Sequence, residues 1–138
     1  MPEVRKSAQR SLAALVLIYG GASLTHFIHN AEFLADYPSM PASWSRPSVY
    51  FAWLAMTAVG VFGWLFVHRG VPRAGLPLLA VYSVLGLVSL GHYVLAPMSA
   101  HTIAMNATIL VEVAAAAVLL IEVLRRLALQ VLHRDGRI

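Results

Sequence analysis

Four long apolar runs, each interrupted by a short polar stretch bearing proline or glycine, constrain this chain more than any other feature. Roughly 20 helical residues cross the ~30 Å hydrocarbon core of a bilayer. Runs over 12–34, 49–67, 74–95 and 101–124 are of that order. A helix pairs its own backbone N–H and C=O groups, as a segment in hydrocarbon must. The expected fold is all-α, a single four-span transmembrane domain over 1–138, packed as an integral membrane four-helix up-down-up-down bundle.

Composition agrees with the run lengths. Of 138 residues, 59% are apolar and 12% charged, and mean hydropathy is +0.74. A soluble domain carries about 25% charged residues, so this chain has too few to cover a water-facing surface. Cysteine is absent, which removes disulfides, thiolate metal sites and thiol nucleophiles. The net charge of +4 is not a nucleic-acid signal, because the basic residues flank apolar runs and form no aromatic-interleaved patch. The N-terminal run resembles a signal peptide at its start, but its apolar character continues through Phe33 and Leu34, so no cleavage is expected.

Orientation follows from lysine and arginine near the span ends. Nine of the ten lie in the N-terminal tail, the Arg69/Arg73 turn and the C-terminal tail, leaving Arg46 alone on the other side. Both termini are therefore expected in the cytoplasm, and the expected residence is a bacterial inner (plasma) membrane. Residues 125–138 read as an amphipathic cytoplasmic extension. Partners are the lipid bilayer and, through Gly/Ala-rich faces, a second copy or a larger membrane complex. Tyr50 and Trp53 near one end of the second run, with Trp64 near the other, fit interfacial aromatic belts.

Against that apolar background the segment Thr25-His26-Phe27-Ile28-His29-Asn30-Ala31-Glu32 stands out. At ~1.5 Å per residue, His26 and His29 fall about 21 and 26 Å along the first run from Leu12, and His92 about 24 Å along the third from Leu76. His101 opens the fourth run at the same face. Three runs thus deliver four histidines to the extracytoplasmic leaflet. His68 and His133 sit beside arginines on the cytoplasmic side and read as interface residues.

An ionisable side chain inside a membrane is a functional candidate by default. The first reading is a transition-metal site of His26, His29, His92, His101 and Glu32, with zinc, copper or iron preferred over oxygen-seeking ions. Met98 and Met105 near His101 favour copper. Such a site with an open position would serve metal-assisted hydrolysis or oxidation of a lipid-phase substrate. The second reading is a b-type haem held between His92 and His26, with the glycines making room for a macrocycle. The third is a non-catalytic structural, lipid-binding or partner-binding subunit whose histidines and asparagines hold helices together.

Glu112 lies eleven residues past His101, close to three helical turns, so the two share a face. A carboxyl at that depth has to be neutral or partnered, and Glu112 is the candidate proton carrier. Asn30 and Asn106 are placed to orient an imidazole. Glu122 has Arg125 and Arg126 three and four residues on and reads as an ordinary helix-end ion pair. The run His26-Phe27-Ile28-His29-Asn30 resembles the histidine boxes of membrane di-iron hydroxylases and desaturases in this short motif. Those enzymes carry several such boxes, usually cytoplasmic, and no residue roles are carried over. Phosphate-loop, dinucleotide and His-Glu-x-x-His motifs are absent.

Overall fold

The computed structural model describes residues 2–134. Its helices are α1 (Pro2–Glu32), α2 (Arg46–His68), α3 (Pro72–Leu87), α4 (Gly91–Leu95) and α5 (Ile103–Arg134), with 3₁₀ turns at Leu34–Asp36, Val88–Leu90 and Met98–Ala100. No strand occurs among the described residues. Four helical stretches are long and apolar enough to cross a membrane: Gln9–Glu32, Arg46–His68, Pro72–Leu95 and Ile103–His133.

The connections show how the sequence ends each helix. Ser45 caps α2 through a reciprocal pair, Ser48 N–H to Ser45 Oγ and Ser45 N–H to Ser48 Oγ at 2.8 Å. Proline follows within the first turn, where a missing N–H costs little. At the other end Gly70 has φ +82°. This left-handed residue lets Gly70 N–H reach Val67 O and Val71 N–H reach Phe66 O, at 3.1 and 2.8 Å. That bonding pattern closes a helix on a glycine, and it reverses the chain tightly into α3.

Packing registers give the relative directions. Gly60 abuts Tyr82, Gly63 abuts Leu79 and Gly75 abuts Val67, so α2 and α3 run antiparallel at very close approach. Tyr19 meets Met56 while Glu32 meets Tyr50, so α1 and α2 are antiparallel as well. Ser89 meets Glu112 and Tyr93 meets Asn106, so the third and fourth spans are too. The last span also packs on the first. Tyr19 is the pin at the bundle centre. Fully buried, it fills the space left by Gly86 and donates to Tyr82 O at 3.1 Å. Large side chains such as Leu17, Phe51, Val94 and Ile103 face outward, more than half exposed, which suits lipid rather than water.

Two helices run on beyond the apolar runs, and the third span changes pitch. Helix α1 begins at Pro2, within the segment read as a polar tail. Helix α5 passes through residue 124 without a break to Arg134, so the extension is the same helix continued, and residues 135–138 lie outside the described residues. The third span is not one uniform helix. It tightens to 3₁₀ at Val88–Leu90 before resuming as α4. Such a mid-span change of pitch often marks a functional position.

Candidate functional site in the histidine-bearing half of the bundle

Beyond the Tyr19 layer the interior turns polar. Ser23, His26, Asn30, His92, His101 and Glu112 are all buried there. His26 and Asn30 lie one turn apart on the inward face of α1. His92 comes from α4, just past the 3₁₀ turn, and Ser89 from the turn itself. Glu112 and Thr108 come from one face of α5.

His26 is the meeting point. Its Nδ1 stands 3.4 Å from Thr108 Oγ1 and its Nε2 stands 3.7 Å from Glu112 Oε2. Thr108 donates its hydroxyl hydrogen to Met105 O at 3.0 Å, so towards His26 it serves as acceptor. His26 therefore carries its hydrogen on Nδ1 and turns an Nε2 lone pair to the carboxyl group. Glu112 Oε2 accepts from Ser89 Oγ at 2.6 Å, and its Oε1 is buried without a hydrogen-bond partner. The His26 and His92 rings meet edge to face with centroids 5.4 Å apart, and His92 Nε2 lies 3.4 Å from Asn30 Nδ2.

The other histidines have different surroundings. His29 is half-buried and bonds Tyr37 Oη through Nδ1 at 2.9 Å. His101 lies in the segment before α5, where its Nδ1 donates to Pro97 O at 3.1 Å and its Nε2 is buried without a partner. Asn30 contacts His92 rather than a histidine of its own helix. Asn106 instead ties down the chain around His101, bonding Met98 O, His101 O and the Tyr93 hydroxyl.

The structure thus brings His26, His92 and Glu112 together, with His101 one ring further out at 6.2 Å from His92. It does not bring His29 or Glu32 into the same contact. Facing His26 across one helix turn would need His29 to point inward, but its ring turns towards Phe33 and Tyr37. Glu32 sits at the surface, paired with Arg46 and accepting from Tyr50 Oη at 2.7 Å. Its carboxylate is satisfied there by these two partners. Among the described residues, no three His, Asp or Glu side chains converge as a ligand set for a metal ion. Glu122 pairs with Arg125 and Arg126, at 2.8 and 2.7 Å.

Tyr37 is the participant that sequence reasoning missed. Although it lies in the proline-bearing connector, only 3% of it is exposed. Its ring lies 5.0 Å from His92 and 6.4 Å from His101, centroid to centroid. Burial pushes its hydroxyl up to about 12. No periodicity in an irregular connector signals such a role. Ser89 lies within a turn of His92 along the chain, and its contact with Glu112 falls on the 3₁₀ turn, a change of pitch that no periodic pattern signals.

Beside this polar group a cleft of about 450 Å³ opens between α1, the connector at Met40–Trp44 and the third span. His26, Asn30, Ser89 and His92 line it together with apolar side chains. The arrangement sets a buried histidine–carboxyl couple beside a cleft that His26 itself lines. Comparison with family models, curated proteins and solved structures finds no match for this chain.

Proposed function

We propose that this is a multi-pass membrane protein, an up-down-up-down bundle with both termini in the cytoplasm of a bacterial inner membrane. Its buried His26–Glu112 couple exchanges a proton with a molecule entering from the lipid phase. The observation that carries this reading is the opposition of His26 Nε2 and Glu112 Oε2 at 3.7 Å, both side chains fully buried, beside a cleft with apolar walls. A lone pair facing a carboxyl oxygen in low dielectric calls for a proton between the two groups. Glu112 is the proton carrier, Ser89 holds its Oε2, and Thr108 holds the tautomer of His26.

Infrared spectroscopy of the protein in lipid tests this directly. The expected result is a protonated-carboxyl stretch that Glu112→Gln removes and His26→Gln shifts. A spectrum without that band, or a band indifferent to both substitutions, would overturn the reading.

A transition metal is the second reading, and the same 3.7 Å gap favours it. Two ligand atoms each ~2.0–2.2 Å from one ion stand at about this separation when the angle between them is open. Zinc, copper or iron would then rest on His26 and Glu112, with His92 alongside and positions left for a substrate. Stoichiometric metal in the purified protein, lost in His26→Ala and kept in His29→Ala, would select it. The haem alternative has less support, because the His26 and His92 rings touch edge to face with no slot for a macrocycle between them. A Soret band would reverse that judgement.

A further inference from the structure

We infer that the cleft beside His92 binds a lipid-phase alcohol, an apolar chain or ring system carrying a hydroxyl head. The inference names the ligand class of the site just proposed and rests on that reading for its relevance, but not on the protonation of Glu112.

The walls define one end of the ligand. Phe27, Trp44, Leu85, Val88 and Leu95 surround a space of about 450 Å³ that is open on one side rather than enclosed. That volume lies within the usual range of small-molecule sites, which is roughly 300–1,000 Å³. Phe27, Leu85 and Val88 belong to helices long and apolar enough to cross a membrane, which makes the lipid phase the source of the ligand in this proposal.

The floor defines the other end. His92 uses Nε2 towards Asn30, which leaves Nδ1 for a ligand. Ser89 gives its hydrogen to Glu112 at 2.6 Å, which leaves its oxygen as an acceptor. With Asn30 Nδ2–H directed at Nε2, His92 carries its hydrogen on Nδ1 and is a donor. One donor, His92 Nδ1, and the acceptors Ser89 Oγ and Asn30 Oδ1, the latter buried without a partner, match a hydroxyl, which accepts from the donor and donates to an acceptor. A ketone or ester oxygen has no hydrogen for Ser89. A plain hydrocarbon would leave these groups without partners, which is costly away from water. A phosphate head is disfavoured too, because no lysine or arginine among the described residues lines the cleft and Glu112 lies behind Ser89.

Trp44 in the wall supplies the probe. A brominated long-chain alcohol and the brominated alkane of equal length are titrated into the native protein in bilayer nanodiscs, with tryptophan emission as readout. The alcohol should quench saturably, with an apparent Kd about tenfold lower than that of the alkane, the order expected of one or two hydrogen bonds. Trp44→Phe should remove the saturable part, and unbrominated alcohol should compete it away. Ser89→Ala should bring the alcohol towards the alkane value while leaving the alkane unchanged. Equal quenching by alcohol and alkane would overturn the inference and make the cleft an ordinary lipid-filled groove. Stronger quenching by a brominated phosphate-headed lipid would overturn it as well. The two proposals fail separately. An absent Glu112 carboxyl band with a preserved alcohol preference removes only the proton reading. A present band with no alcohol preference removes only the ligand assignment.

Discussion

Glu112 Oε2 lies 2.6 Å from Ser89 Oγ and 3.7 Å from His26 Nε2, so one carboxyl oxygen joins three separate spans. The junction depends on the 3₁₀ turn at Val88–Leu90, which carries Ser89. Replacing Glu112 should therefore be felt in stability as well as in chemistry. Glu112→Ala opens a hole and leaves Ser89 and His26 unpaired, which should cost about 1–3 kcal/mol. Glu112→Gln keeps an acceptor for Ser89 and should cost less than half as much. Unfolding midpoints in mixed detergent micelles check the order of the two variants. Equal losses would show that the Ser89 bond contributes little.

Close helix approach makes a second prediction. A Cβ on Gly75 would meet the backbone of Gly63 and Val67, which cannot swing aside. Gly75→Ala should destabilise the bundle by about 1–3 kcal/mol, as overpacking does. Nothing lies within 4 Å of the corresponding position on Gly21. Gly21→Ala should be neutral or gain up to about 1 kcal/mol from reduced backbone entropy in the unfolded chain. Paired unfolding curves of the two variants decide it, and a neutral Gly75→Ala would contradict the packing between α2 and α3.

Tyr37 should give the protein an alkaline limit. Its hydroxyl is raised from the ordinary value of 10.0 to about 12 by burial, so the folded state favours the neutral phenol. The unfolded chain releases that proton first. The stabilisation is whole below pH ~10 and is lost as pH rises from there through ~12. Tyrosinate absorbance should lose one late-titrating group in Tyr37→Phe, and that substitution should flatten the alkaline loss of structure. An unchanged titration in Tyr37→Phe would place the late group elsewhere.

The surface ion pair offers a contrast to the interior couple. Arg46 pairs with Glu32 while more than half exposed. Pairs of this kind contribute at most about 1 kcal/mol. Arg46→Ala and Glu32→Gln should each leave the unfolding midpoint within that margin, and Glu32→Gln should leave the Glu112 carboxyl band untouched. Loss of the band in Glu32→Gln would return Glu32 to the site.

Orientation is testable because the chain has no cysteine. Single substitutions label cleanly with a membrane-impermeant maleimide. Ala42→Cys and Ser99→Cys should react from the outside of intact spheroplasts, and Arg69→Cys only after lysis. The reverse pattern would invert the proposed topology.

Sequence alone determined the class of fold and the level along the bundle at which three of the histidines meet. Run length and hydropathy carry the four spans, because hydrocarbon forces long apolar helices whatever their partners. Helical rise alone was enough to bring His26, His92 and His101 to one level. Azimuth was another matter. His26 and His29 are three residues apart, yet one turns to Glu112 and the other to Tyr37, because neighbours on other spans decide which way a ring points. Glu32 left the group for the same reason, drawn to Arg46 and Tyr50 across the connector. Tyr37 and Ser89 entered it through an irregular connector and a change of helical pitch, neither of which a periodic pattern encodes. Depth along a helix is a property of one chain segment, whereas a site is made by side chains from several, and only their packing selects which of them meet.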